Sequence, residues 1–168
     1  MTSITDTPAP LPGFAEHDHG DCIASALRSV EETCDANGLR LTPVRRAALE
    51  ILLHGHRALG AYAVLDALRE RGFGSQPPVA YRALDFLVAH GFAHKIERLN
   101  AFVACVEPGD DHAPVFMICR VCDAVAEAPA APARAALSEV ARASGFTVER
   151  AMIEVLGVCP GCAEAAPA

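Results

Sequence analysis

Two Cys-x-x-Cys pairs, Cys119/Cys122 and Cys159/Cys162, constrain this chain more than any other feature. Within each pair both sulfurs reach a common point from one tight turn. Two pairs complete a tetrahedron of thiolates, the usual ligand set of a structural zinc ion. The stretch from Cys122 to Cys159 is longer than a compact zinc ribbon needs, and it leaves room for a strand, a helix and a returning strand. Such an ion ties the end of a domain back to its beginning. Its binding energy then becomes folding energy, on the order of 10 kcal/mol in small zinc modules. A disulfide pair and a thiol redox motif are the other readings of paired cysteines, but two motifs together point to a metal.

At 168 residues the chain holds one ordinary domain or two small ones, and small ones need staples such as a metal. The segment Met1 to Pro12 carries acids, prolines and threonines, with no basic start and no apolar core, unlike a secretory signal. No apolar run approaches membrane-spanning length. Seven cysteines without an export signal suit reducing cytoplasm and metal chemistry rather than disulfides. A cytoplasmic protein without membrane association is therefore expected.

The net charge of −7 looks wrong for a nucleic-acid binder until it is divided along the chain. Residues 38–98 carry nine basic and five acidic side chains, whereas both flanks are acidic. A basic middle between acidic ends suggests that only the middle faces a polyanion.

Residues 1–20 read as a mobile tail, with Pro8, Pro10, Pro12 and Gly13 and few apolar anchors. A helix is predicted from Asp21, with Ile23, Leu27 and Val30 on one face, ending at Asn37-Gly38. Thr42-Pro43 opens a second helix, capped by the threonine, with Val44, Ala47, Ala48, Ile51 and Leu52 inward. A third helix runs from about Gly60 to Arg71 and buries Tyr62, Leu65 and Leu68. The fourth starts at Pro77-Pro78 and ends at Gly91. Phe92 to Glu97 and Ala101 to Val106 read as short strands. Helices followed by a two-stranded ribbon make a winged helix-turn-helix.

The fourth helix would then enter the major groove, presenting Tyr81, Arg82 and Asp85 near its N-terminal end. Arginine can donate a bidentate pair to guanine, and tyrosine can pack on a thymine methyl. Arg45 and Arg46 would meet phosphates at the start of the second helix. The same residues also suit plain solvated helix faces; the ordered set within the basic segment favours DNA.

Several stretches together resemble the ferric uptake regulator superfamily, and within it the zinc uptake regulators most. They are Leu41-Thr42-Pro43-Val44-Arg45, the run from Pro77 to Leu87, Gly91-Phe92-Ala93-His94-Lys95, Phe116-Met117-Ile118-Cys119 and Ala124-Val125-Ala126-Glu127. The resemblance covers roughly residues 21–163. It implies an α/β (α+β) chain with a winged-helix DNA-binding domain over 21–99, a hinge over 100–106 and a small α/β dimerisation domain over 107–168. It also implies a second, regulatory metal site at His94, Cys105, His112 and Glu127. Two imidazoles, one thiolate and one carboxylate suit tetrahedral zinc better than a hard, octahedral iron site. Two zinc ions per protomer, a homodimer, and a palindromic double-stranded operator as partner follow from the same resemblance. So does repression of zinc-uptake genes. Sensing of iron, manganese, nickel or peroxide is the alternative within the superfamily.

His17, His19 and Cys22 also suit an auxiliary metal site, although a histidine pair in a tail is ordinarily solvated. Cys34 reads as a small apolar core residue. Asp66 and Arg69, at i and i+3, suit an intrahelical ion pair or a contact to a neighbouring dimer on DNA. A zinc hydrolase or deaminase would need an open metal position and a general base, as in H-E-x-x-H. No such motif occurs, so neither catalysis nor a small-molecule substrate is expected. A zinc adaptor that binds proteins rather than DNA is the other rival.

Overall fold

Helix-forming and strand-forming runs separate along the chain, and the computed structural model follows that division. It describes residues 11, 13–14, 19–55, 57–74, 76–106, 108, 114–149 and 151–165. Four helices come first: α1 (His19–Ala36), α2 (Pro43–Leu53), α3 (Ala61–Glu70) and α4 (Pro77–Ala89). Proline stands at the start of α2 and α4, where its missing N–H costs nothing and its fixed φ suits the first turn. Thr42 occupies the N-cap position of α2 with extended backbone but makes no side-chain capping bond. Gly38 and Gly91 follow α1 and α4 with positive φ, the left-handed exit that glycine adopts without a Cβ clash.

These helices close over one apolar core. Leu27 and Val30 of α1, Ala48, Leu49 and Leu52 of α2, Val64 and Leu68 of α3, and Leu84 and Leu87 of α4 are buried in it. The α3 stripe differs from the predicted one, because its buried face is Ala61, Val64, Leu65 and Leu68. Tyr62 lies off that stripe and is 65% exposed. A charged network crosses the outside of the bundle. Arg46 pairs with Glu31 on α1 at 2.9 Å and with Glu50 one turn along α2, and Glu50 also receives Arg71 at 3.0 Å. Arg46 is therefore occupied within the protein.

The wing follows as an antiparallel pair, β1 (Ala93–Ile96) and β2 (Ala101–Ala104), with His94 opposite Val103. Strand β2 lies in the stretch expected to act as a hinge, and all four of its residues are buried. One face of the wing gives Ala93, Phe102 and Ala104 to the helical core; the other gives Ile96 and Val103 to a second cluster with Phe116, Ile118 and Val125. The wing is thus packed on both sides.

The remaining elements are β3 (Val115–Cys119), β4 (Val125–Ala128), α5 (Ala131–Ala143), β5 (Ile153–Gly157) and α6 (Pro160–Glu164). Strand β3 is central, antiparallel to β4 and parallel to β5. The parallel return requires the α5 crossover. The returning strand expected before the second cysteine pair is β5, short and close to Cys159, and α6 was not foreseen. On α5 only Ala141 is buried; Val140 is 68% exposed. No described helix is long and apolar enough to cross a membrane.

Candidate metal centres and nucleic-acid interface

The central strand and its parallel neighbour end side by side, and each ends in a cysteine pair. Cys119 closes β3 and begins a tight turn through Cys122, where Asp123 takes φ 59°. Cys159 caps α6 and Cys162 lies within its first turn. The four sulfurs all lie within 4.8 Å of one another. Cys122 and Cys159 sulfurs are 3.8 Å apart, the edge of a tetrahedron with metal–sulfur bonds of ~2.3 Å. The donor set and spacing fit zinc.

Backbone amides already favour charge at one corner. The Cys159 N–H donates to Cys119 Sγ at 3.3 Å, and those of Cys122 and Val121 add to it, so the Cys119 thiol is pulled down to about 6. Cys162, sharing protons with the Cys159 and Cys122 sulfurs, is pushed up to about 12. Ligation by all four must displace the Cys162 proton.

A second cluster forms where the wing meets the C-terminal sheet. His94 of β1, Cys105 just beyond β2 and Glu127 of β4 offer ligand atoms within 4.8 Å of one another. His94 Nε2 stands 3.1 Å from Glu127 Oε1, and the Val106 N–H donates to Glu127 Oε2 at 2.7 Å. The His94 ring packs at 5.2 Å on Phe116 in a tilted contact that fixes its aim. Cys105 is buried, its N–H donating to the Phe92 carbonyl at 3.0 Å. Imidazole, thiolate and carboxylate together are a soft donor set suited to tetrahedral coordination. His112, the fourth expected member, lies outside the described residues.

Beside this cluster a cavity of about 480 Å³ is lined by Cys105, Glu127, Cys22 of α1 and the end of α2. Cys22 is exposed and joins no ligand cluster among the described residues. His17 and the side chain of His19 lie outside them.

On the far side of the helical bundle, Tyr81, Arg82 and Asp85 are exposed on α4. Tyr62, Tyr81, Asp85 and Lys95 line a groove of about 490 Å³ between α3, α4 and the wing. Tyr62, read from the sequence as buried, stands exposed on this groove. Arg45 is held in place, its guanidinium 3.8 Å above the Phe86 ring and donating to the Arg40 carbonyl at 2.6 Å. Asp66 and Arg69 pair at 3.2 Å on exposed α3.

No protein-family model matches the chain. The zinc uptake regulation protein of Escherichia coli (strain K12) is 37% identical over 139 residues, 82% of this chain and 81% of that protein. The solved structure of a zinc uptake regulator complexed with zinc and DNA matches with a TM-score of 0.77 and 34% identity. That match covers 89% of this chain and 98% of the other. Holo XcZur matches with a TM-score of 0.76 and 41% identity, covering 83% of this chain and 98% of its own. The apo form of XcZur, 41% identical over 85% of this chain and 99% of its own, gives only 0.50. These likenesses define the class as two-domain regulators with a winged-helix DNA-binding domain and a C-terminal dimerisation domain. The chain belongs to the zinc uptake regulator family.

Proposed function

We propose that this chain is a zinc-responsive transcriptional repressor, not an enzyme, that binds palindromic operator DNA as a zinc-loaded dimer and represses zinc-uptake genes. The observation that carries this reading is the meeting of His94 and Cys105, from the wing and its exit, with Glu127 of the C-terminal sheet. Two zinc ions serve each protomer. Cys119, Cys122, Cys159 and Cys162 hold the structural ion; His94, Cys105 and Glu127, with His112, hold the regulatory one. When bound, the regulatory ion links the two domains in one mutual orientation. Motion between them pivots just beyond β2, at the end of the 100–106 stretch. The similarity to the holo rather than the apo form of one relative supports such an orientation here.

The chain's own residues do the rest. Tyr81 and Arg82 read base edges in the major groove, while Arg45 is pre-aimed at a phosphate by its Phe86 and Arg40 contacts. Leu137, Val140 and Phe146, exposed in the single chain, are covered by the second protomer. A twofold dimer sets two recognition helices about 34 Å apart, one DNA turn. Operator binding titrated with zinc, iron and manganese at matched free concentrations tests the reading. Zinc alone is expected to drive tight binding below micromolar free metal. Equal or better response to iron or manganese, or binding indifferent to metal, would overturn it.

A further inference from the structure

One rung of the C-terminal sheet faces the wing with three side chains. Glu127 of β4, Phe116 of β3 and Glu154 of β5 stand in register, and residues in register across a sheet share a face. Glu127 meets His94, Phe116 packs on the same imidazole, and Glu154 reaches the turn that joins β1 to β2. The Glu154 carboxylate accepts the Glu97 N–H at 2.7 Å through Oε1 and the Arg98 N–H at 3.1 Å through Oε2. The wing ladder ends at Ile96, so these two amides lie just past its last pair. Glu97 turns its own carboxylate onto Lys95 Nζ at 2.9 Å, which offsets the like charge beside Glu154. Two successive N–H groups on one carboxylate form a short, charge-assisted cradle.

We propose that Glu154 is a positioning residue, a metal-independent latch that holds the wing turn on the C-terminal sheet. It sits on edge strand β5, whereas Glu127 sits on the opposite edge, β4, so latch and metal cluster straddle the central strand. A regulator held at only one edge would rock about that edge; held at both, the wing has one seat. The consequence for sensing rests on the zinc-responsive reading above. If closure is needed for operator binding, the latch raises the closed fraction before metal arrives and lowers the zinc needed to complete it. Glu154 touches neither ligand cluster, so it acts on the arrangement and not on coordination.

The test compares full-length wild type with Glu154→Ala and Glu154→Gln by amide hydrogen exchange and by zinc-titrated operator binding. Exchange at Glu97 and Arg98 is expected to quicken about tenfold or more in the alanine variant, the scale of one charge-assisted hydrogen bond. Amides of the cysteine turns should keep the wild-type rate. The zinc concentration for half-maximal operator binding should rise by about the same factor, since both report one equilibrium. At saturating zinc, operator affinity returns to the wild-type value. Glutamine, which keeps a neutral acceptor oxygen, restores part of both effects. Unchanged exchange at those two amides overturns the latch, and so does a deficit that persists at saturating zinc. A wild type whose operator binding ignores zinc sinks the sensing reading instead, and exchange at Glu97 and Arg98 alone then decides the latch.

Discussion

The tetrathiol knuckle and the His94/Cys105/Glu127 cluster both bring soft ligand atoms within 4.8 Å of one another, yet they join different things. The knuckle is built inside one small unit, from the ends of two neighbouring strands. Its ligands meet whenever that unit folds, and a metal there adds to folding stability. The second cluster draws on the wing and on the C-terminal sheet, so its ligands meet only when two units dock. A metal there biases an arrangement rather than a fold. Where the ligands come from, more than what they are, separates a staple from a switch.

The largest effect should follow from breaking the staple. Cys159→Ser removes a ligand and the N-cap thiol of α6. It should unfold the C-terminal unit, forfeiting much of a zinc contribution on the order of 10 kcal/mol. Circular dichroism melting and sedimentation velocity would then show a lost transition and a lost dimer. Cys105→Ser should instead leave melting and dimer mass intact. Bound zinc should fall from two ions to one per protomer, and operator affinity in zinc should drop on the order of 100-fold. Unfolding by this second variant would erase the distinction between the two sites.

Arg82→Ala sharpens it from another side. Both metals should stay bound while operator affinity falls by about 1–3 kcal/mol, seen by fluorescence anisotropy as relaxed discrimination at one base position. Proton release upon zinc binding is the smallest signal. Cys162, held up to about 12, should give up its proton at any pH below that value. Cys119, held down to about 6, should contribute one only as pH falls through that value. Calorimetry in buffers of different ionisation enthalpy counts these protons, and a count that does not grow as pH falls through 6 would contradict the Cys119 assignment.

The knuckle was legible in the sequence because each half is local: an i, i+3 cysteine spacing imposes its own turn geometry. The helices were legible through their period, with errors where a partner decides the face. Tyr62 was placed inward as one stripe with Leu65 and Leu68, yet the buried stripe starts at Ala61, and one step along a helix turns a side chain by about 100°. Leu137 and Val140 share an α5 face that the single chain leaves open. Phe146 and Val148 have strand-like chemistry but no neighbouring strand among the described residues, and they stay irregular and exposed. The second cluster had no local signature at all. His94, Cys105 and Glu127 were reached only through family resemblance, since no spacing predicts how two units dock. Glu154 was invisible for the same reason: strand alternation says which face it shares, and only tertiary structure says that this face meets the wing.

In the proposed mechanism one ion joins the wing to the C-terminal sheet. Anomalous diffraction at the zinc edge, from crystals of the zinc-replete protein on operator DNA, tests it most directly. Two peaks per protomer are expected, one among the four cysteine sulfurs and one bonded to His94, Cys105 and Glu127. A single peak at the cysteines, with His94 and Glu127 apart and DNA still bound, would contradict it.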